Sequence, residues 1–223
     1  MILRSDISSY KAVFFDLDGT LIDSAKDLNF AIELMADELQ LEKPGLQNVK
    51  HWIGDGTLKL VEQALFHMKK GQPSQFEVKQ AFELFSSAYK ECLGEHSTLY
   101  PDTQKLLVKL LSHKIKIACI TNKPIEFTDF LLMQNMIRQF FSVICAGDTV
   151  KHQKPDAWPL LHVSNTLKVD ISECLMIGDS VNDVEAARNA GCDVIAVNYG
   201  YNKGIDIKKS NPDLVIASFD ELL

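Results

Sequence analysis

Short runs of apolar and β-branched residues recur along the chain and predict buried strands. Near-continuous apolar runs are typical of parallel strands that are covered on both faces. The runs are Ala12–Phe15, Ile115–Ile120, Ser142–Ala146, Cys174–Ile177 and Val194–Val197. Helical patterns lie between them, as at 101–111, where Pro101 stands at the start and leucines recur on one face. This alternation predicts an α/β fold with a doubly wound parallel sheet.

One long segment departs from the alternation. From Ser24 to Leu93 the apolar positions follow helical spacing, without a convincing strand pattern. Three helices are predicted there, over Asp27–Leu41, Gly56–Lys70 and Ser74–Leu93. The last helix carries four aromatic residues near helical spacing, Phe76, Phe82, Phe85 and Tyr89. We expect these aromatic residues to form the core of the helical segment rather than a cofactor site.

The predicted organisation is a main domain with an insertion. Residues 1–22 and 95–223 are assigned to the α/β core, and residues 23–94 to an inserted α-helical domain. A chain of 223 residues is long enough for one substantial core and a smaller accessory domain.

Composition excludes several other classes of protein. A net charge of −7 without a cluster of Lys and Arg argues against nucleic-acid binding. No long apolar stretch and no basic, apolar leader is found, so a cytoplasmic enzyme without a membrane partner is expected. The five cysteines form no Cys-x-x-Cys pair, which favours reduced thiols. We expect a monomer or a homodimer.

The candidate chemistry lies where the predicted strands end. Ligands of open α/β sheets bind beyond the carboxyl ends of the strands. Those positions hold Asp16, Asp18, Gly19, Thr20, Thr121, Asn122, Asp179 and Asp183, with Lys154 in a following loop. Several carboxylates at one sheet edge repel one another unless a cation lies among them, and hard oxygen ligands suit Mg²⁺. The sequence therefore predicts a magnesium site next to a phosphate site.

The pair Asp16 and Asp18 has the spacing needed for phosphoryl transfer. Asp16 is predicted to attack phosphorus, while Asp18 protonates the leaving oxygen and then activates water. Gly19 permits a sharp turn, and backbone N–H groups of the turn at Gly19 and Thr20 are expected to cradle phosphate oxygens. Taken alone, an Asp-x-Asp pair also describes solvated turn residues or helix caps.

Further polar residues are candidates for the phosphate site. Thr121 offers a hydroxyl and a backbone N–H, although it also suits an N-cap of the helix that follows Pro124. The neighbouring Asn122 is assigned to phosphate binding. Lys154 is placed to hold both the phosphate and Asp16 by charge, but Lys151 is equally near in sequence.

The motifs together resemble those of the haloacid dehalogenase superfamily of phosphatases, and within it the phosphoglycolate phosphatase group. The matching segments are Asp16–Ser24, Thr121–Pro124, Lys154–Pro155, Gly178–Asp183 and Ala186–Gly191. The resemblance implies that Lys154, rather than Lys151, serves the site. It also implies that Asp16, the backbone carbonyl of Asp18 and Asp179 bind Mg²⁺, with Asp183 in support.

The resemblance further implies a role for the insertion. Residues 23–94 correspond to the helical cap of these enzymes, which closes over the site and contacts the leaving group. Within it, Gly56 precedes a helix and is a candidate to offer N–H groups to a substrate carboxylate, although an ordinary helix-start turn fits equally well. Gly200–Gly204 and Asn211–Asp213 resemble the tail of phosphoglycolate phosphatases. The run Lys154–Leu160 departs from the family pattern, in which further prolines often follow Lys-Pro.

The expected function is that of a Mg²⁺-dependent hydrolase acting on 2-phosphoglycolate or a similar small phosphate ester through an aspartyl-phosphate. One alternative is a phosphomutase of the β-phosphoglucomutase type. Related capped enzymes that act on pyrophosphate, nucleotides or sugar phosphates share the same motifs, so the core does not select among them. A third alternative is a silent binding or acyl-phosphate switch protein, against which the presence of Asp16, Asp18 and Asp179 counts.

Overall fold

A central parallel sheet organises the chain. The structure is a computed structural model that describes residues 6–223. Its strands are β1 (Ala12–Phe15), β2 (Ile22–Asp23), β3 (Thr98–Leu99), β4 (Lys116–Ile120), β5 (Val143–Cys145), β6 (Cys174–Gly178), β7 (Asp193–Val197) and β8 (Leu214–Ile216). Six of them form one sheet in the order β5-β4-β1-β6-β7-β8, and every pairing in it is parallel. The predicted doubly wound α/β fold is confirmed.

The position of β1 at the middle of the sheet sets the place of the site. Phe15, its last residue, lies opposite Cys119 of β4 and Ile177 of β6. The residues that follow these three strands therefore emerge side by side at one sheet edge. This juxtaposition brings together polar residues that are more than 100 positions apart in sequence.

Helices cover both faces of the sheet. They are α1 (Ala25–Glu38), α2 (Leu46–Trp52), α3 (Thr57–Lys69), α4 (Gln75–Cys92), α5 (Thr103–Ser112), α6 (Ile125–Gln134), α7 (Trp158–Leu167) and α8 (Val181–Ala190). Val13 and Phe15 of β1 pack with α5 and α6 in one apolar cluster, while Phe14 packs with α7 and α8 in another. Successive strand residues alternate between the faces, so both faces of β1 are buried.

The first four helices follow one another without an intervening strand and form a helical segment, residues 25–92. It lies between β2 and β3, which pair antiparallel with Ile22 opposite Leu99, and α1 packs against α4. Three of the helices match the predicted ones. The short α2 was not predicted, because seven residues span too few turns to establish a period.

The aromatic residues of α4 follow the predicted pattern only in part. Phe85 and Tyr89 are fully buried and their rings stack 5.4 Å apart. Phe76, in the first turn, is 76% exposed, so its assignment to the core was wrong. The first turn of α4 instead carries a capping box between Ser74 and Glu77.

The sheet ends in a strand that the sequence pattern did not indicate. β8 has only three residues, and its first residue, Leu214, is exposed at the edge.

All five cysteines are buried with free thiols. Within residues 6–223, no helix is both long and apolar enough to cross a membrane.

Candidate active site

Three buried carboxylates meet at the carboxyl edge of the sheet. Asp16 follows β1, Asp179 follows β6, and Asp183 lies in the first turn of α8. Each of the three is at least nine-tenths buried, and one carboxylate oxygen from each lies within 4.8 Å of those of the other two. The cluster predicted from sequence is therefore assembled in the fold.

A single buried lysine pairs with this cluster. The Nζ atom of Lys154 donates to Asp16 Oδ1 at 2.8 Å, to Asp183 Oδ1 at 2.7 Å and to the carbonyl of Ile120 at 2.6 Å. These three acceptors use all three ammonium protons. Lys151, the competing candidate, is exposed.

Local structure fixes the third carboxylate. Asp183 forms a capping box at the start of α8, in which its Oδ2 accepts from the Ser180 N–H at 3.0 Å and the Ser180 hydroxyl at 2.7 Å. Its other oxygen receives Lys154. Asp183 thus anchors the lysine that holds Asp16.

Burial and like charge dominate the electrostatics of the cluster. Burial raises the pKa of Asp16 to about 6, against the attraction of Lys154. Burial also raises the pKa of Asp179 well above its usual range, and the neighbouring Asp16 and Asp183 add to this. The pKa of Lys154 is raised, because the two carboxylates outweigh the opposing effect of burial. Three acids facing one lysine leave an excess of negative charge, and such a donor set of hard oxygens fits a divalent cation.

The second aspartate of the motif faces a different group. Both oxygens of Asp18 accept from Lys123 Nζ at 3.1 Å, and the Ser24 hydroxyl also donates to Oδ1. Lys123 Nζ further donates to the Tyr89 hydroxyl of α4 at 2.8 Å. The Asp18 carboxylate is therefore outside the three-acid cluster and connects to the helical segment.

The chain turns sharply at Gly19, as the sequence predicted. The φ angle of Gly19 is +87°, and a Cβ there would lie 2.4 Å from Asp179 Oδ2. The Gly19 and Thr20 N–H groups donate to the carbonyls of Ile22 and Leu17 at 2.9 and 3.3 Å. Both groups are used inside the turn, which corrects the prediction that they cradle phosphate.

Thr20 contacts one carboxylate of the acid cluster. It is fully buried, and its hydroxyl lies 3.4 Å from Asp179 Oδ1. Within residues 6–223, the N–H groups of Leu17 and Asp18 make no hydrogen bond, so these two donors of the turn are the ones left for a ligand.

Thr121 and Asn122, which follow β4, differ in which of their groups are free to bind a ligand. The Thr121 N–H donates to the carbonyl of Cys145 at 2.9 Å, so only its hydroxyl remains for phosphate, and that hydroxyl accepts from the Lys123 N–H at 3.2 Å. Thr121 is not the N-cap of α6, whose cap position is Pro124. The side-chain amide of Asn122 donates to the carbonyls of Lys154 and Gly54 at 2.9 and 3.0 Å. Its Oδ1 accepts from the Lys154 N–H at 3.0 Å. Its amide holds the site together and is not free for a ligand, whereas the Asn122 N–H makes no hydrogen bond to the described residues, so the assignment of Asn122 to phosphate binding stays a prediction.

The loop before α3 is tied to the core by several polar contacts. Asn182 donates to Asp55 Oδ1 at 2.8 Å, and Lys203 Nζ donates to Asp55 Oδ2 at 2.7 Å. Burial acts to raise the pKa of Asp55, but these two partners lower it overall. Gly56, with φ +91°, comes next and precedes α3. The loop is thereby held over the end of the sheet.

A small cavity lies between this loop and the sheet edge. Its volume is about 30 Å³. Its wall contains Asp16, Asp18, Leu28, Ile53, Gly54, Gly56, Thr57, Leu60, Thr121, Asn122 and Lys123. The charged side chains come from the core, whereas the apolar ones and Thr57 come from the helical segment.

Sequence reasoning missed some residues that organise the site. Lys123 and Asn182 stand inside motifs already recognised, and their neighbours were the signal. Tyr201 lies in the Gly200–Gly204 segment, to which no site role was given: its N–H donates to Asp179 Oδ2 at 2.6 Å, while its hydroxyl donates to Asp23 at 2.7 Å. That hydroxyl also accepts from the N–H groups of Ser24 and Ala25 at 2.9 and 3.0 Å.

The sequence also matches a known family over most of its length. The model of the haloacid dehalogenase-like hydrolases covers residues 13–197, a range that holds the whole acid cluster. This chain belongs to that family. The resemblance inferred from the motifs is confirmed, and the enzyme class is a phosphatase.

Relatives and solved structures agree with this membership. The chain is 37% identical to a phosphoglycolate phosphatase of Nitrosococcus oceani over 94% of its own length and 93% of the relative's. It is 41% identical to one of Yersinia pseudotuberculosis, over 96% and 91%. A crystal structure of a predicted phosphoglycolate phosphatase from Haemophilus somnus 129pt matches with a TM-score of 0.92 and 30% identity, covering 97% of each chain.

Proposed function

We propose that this protein is a Mg²⁺-dependent phosphomonoesterase that hydrolyses 2-phosphoglycolate, or a similarly small phosphate ester, through a phosphorylated Asp16. The observation that carries the proposal is the position of Asp16. Its carboxylate belongs to the three-acid cluster, bonds Lys154 and also lines the cavity that Asp18 lines. A nucleophile, a cation site and an acid/base group thus converge on one small space.

The three-acid cluster is the proposed cation site. Asp16 and Asp179 would bind Mg²⁺ with the backbone carbonyl of Asp18, and Asp183 would support them through its contacts to Lys154 and Ser180. When bound, the ion would offset the negative charge of the phosphoryl group and of the carboxylates around it. Burial and the neighbouring carboxylates raise the pKa values of Asp16 and Asp179, and a cation between these groups would favour their ionised forms.

The chain's own residues would perform the transfer in two steps. An oxygen of Asp16 attacks phosphorus, the bond from phosphorus to the bridging oxygen breaks, and Asp18 gives its proton to that oxygen. Asp18 then takes a proton from water, the water oxygen bonds to phosphorus, and the bond to Asp16 breaks. Lys154 keeps Asp16 in one orientation throughout. Phosphate and the alcohol leave, and both carboxyl groups return to their starting states.

Two further groups would bind the phosphoryl oxygens. The unbonded N–H groups of Leu17 and Asp18 lie in the turn that follows Asp16. The hydroxyl of Thr121 lines the same cavity. Donors fixed before the substrate arrives stabilise the charge of the transition state without a cost of reorganisation.

We propose that residues 23–94 act as the cap. The loop with Gly54 and Gly56 closes the cavity, and Leu28, Ile53 and Leu60 form an apolar roof. A cavity of about 30 Å³ holds about two water molecules, so we expect the loop to move when a substrate enters. A small leaving group requires the least movement, which favours 2-phosphoglycolate over a hexose phosphate. The names of the relatives support the same substrate.

A panel of phosphate esters assayed with and without Mg²⁺ tests the proposal. Release of phosphate from 2-phosphoglycolate should require Mg²⁺, and Asp16→Asn should lower kcat at least 10³-fold, an order of magnitude typical of a lost nucleophile. Glu91→Gln, an exposed change on α4, serves as the control. Equal turnover by Asp16→Asn would refute the nucleophile. Interconversion of hexose phosphates without phosphate release would favour the mutase.

We retain the predictions of a cytoplasmic enzyme that works as a monomer or homodimer. Light scattering of the purified protein measures its oligomeric state.

A further inference from the structure

The cavity above Asp16 has one cationic side chain in its wall among the described residues. That side chain is Lys123. Lys154 lies behind Asp16 and is fully engaged by its three acceptors, so it has no proton left for a second anionic group. The roof residues Leu28, Ile53 and Leu60 are apolar. Among the side chains of this wall, Lys123 is therefore the cationic partner for a second negative charge on a substrate, whereas Gly56 offers only backbone N–H groups.

Lys123 is a built element of the site and not a surface lysine. Its side chain is only 2% exposed. Its Nζ lies 3.1 Å from both oxygens of Asp18 and 2.8 Å from the Tyr89 hydroxyl, and 4.8 Å from the centre of the Tyr89 ring. The ammonium is thus held between the core and α4 by one aspartate and one tyrosine.

The contact with Asp18 fixes which part of a substrate Lys123 would meet. Asp18 is the group proposed to face the bridging oxygen, while Asp16 faces phosphorus. The ammonium beside Asp18 consequently lies on the leaving-group side of the cavity. In 2-phosphoglycolate one methylene separates the bridging oxygen from a carboxylate, so that carboxylate would lie next to Nζ.

We propose that Lys123 selects substrates whose leaving group carries a carboxylate. The inference rests on the proposed function. A substrate carboxylate takes a proton donor of Lys123 that otherwise serves Asp18, which frees one Asp18 oxygen to face the bridging oxygen. Tyr89 retains the ammonium during the exchange. A neutral leaving group cannot replace Asp18 as the acceptor of Lys123, so both Asp18 oxygens stay paired with the ammonium.

The test compares two esters of equal length, 2-phosphoglycolate and 2-hydroxyethyl phosphate. Wild-type enzyme with Mg²⁺ should show a kcat/KM about 10- to 100-fold higher for the carboxylate ester, the range that one charge-assisted hydrogen bond supplies. Lys123→Met should reduce that preference to about threefold or less. Lys90→Met is the matched control, because Lys90 is exposed on the same helix as Tyr89 and pairs with Glu126 on the surface. It should keep the wild-type preference.

Each outcome decides a separate point. If both esters lose activity equally in Lys123→Met, the lysine only positions Asp18 and the inference fails. A wild-type ratio near one overturns it without any variant. Should Lys123→Met not fold, Lys123→Gln retains a polar side chain with N–H donors but lacks the charge, and full preference in that variant also overturns the inference. Absence of turnover of every ester by the wild type would instead refute the proposed function.

Discussion

Mg²⁺ should stabilise this protein more strongly at pH 7.5 than at pH 5. The perturbation is a change of pH around the pKa of Asp16, which burial raises from 3.8 to about 6. Because the folded protein holds this proton more tightly than the unfolded chain, ionising Asp16 costs stability. The penalty is absent below pH 3.8 and complete above pH 6.

The size of the effect follows from the same shift. Without metal, the penalty is roughly 3 kcal/mol at pH 7.5 and roughly 1.5 kcal/mol at pH 5. Mg²⁺ competes with the proton, so its apparent Kd should rise about tenfold over that interval as pH falls. At saturating Mg²⁺ the rise in Tm should be about 3 to 6 °C smaller at pH 5, given about 2 to 4 °C per kcal/mol for a chain of this size.

Thermal unfolding at both pH values, with Mg²⁺ or K⁺ at equal ionic strength, measures this difference. In metal-free protein, the stability of wild type relative to Asp16→Asn should fall by about 1.5 kcal/mol from pH 5 to pH 7.5. Glu91→Gln, an exposed acid, should follow the wild type. A Mg²⁺ shift that is equal at both pH values, or larger at pH 5, would refute the reasoning.

Three further changes probe separate parts of the site. Gly19→Ala places a Cβ 2.4 Å from Asp179 Oδ2 at a φ of +87°. We expect it to lower the free energy of unfolding by about 1–2 kcal/mol and to weaken Mg²⁺ binding at least tenfold, as measured by calorimetry. Unchanged Mg²⁺ affinity would contradict this. Tyr201→Phe removes the acceptor of the Ser24 and Ala25 N–H groups and should cost about 1–3 kcal/mol in urea unfolding, whereas an unmoved midpoint would show that water replaces the hydroxyl. Asn182→Ala removes the 2.8 Å hydrogen bond to Asp55. It should speed amide hydrogen exchange in residues 52–57 and raise KM severalfold. Identical exchange rates would show that Asn182 does not hold the loop to the core.

The strands and the acid cluster were predictable because their signals are local. Apolar runs marked β1 and β4 to β7, and Asp16 and Asp179 each directly follow a strand. The rule that parallel strands present their carboxyl ends at one edge then brought these residues together. Short elements such as α2 and β8 have too few residues to display a period, so they could only be found in the structure.

Which hydrogen-bond donors are free to bind a ligand could not be predicted, for a different reason. Whether a backbone N–H is available depends on the turn that the chain adopts, and the Gly19 and Thr20 donors are used within their own turn. Whether the side-chain amide of Asn122 is free to bind a ligand depends on groups from distant segments, here Gly54 and Lys154. Residue type at a strand end indicates which chemistry is available there, but not which donors remain free after folding.

The short ribbon of β2 and β3 has a consequence for how such enzymes diversify. The chain leaves the core at Ile22 and returns at Leu99, and these two residues are paired neighbours. An insertion whose ends lie side by side can change in length or sequence without altering the spacing of the strands that carry Asp16 and Asp179. The helical segment can therefore change from one relative to another while Asp16 and Asp179 keep their places at the sheet edge.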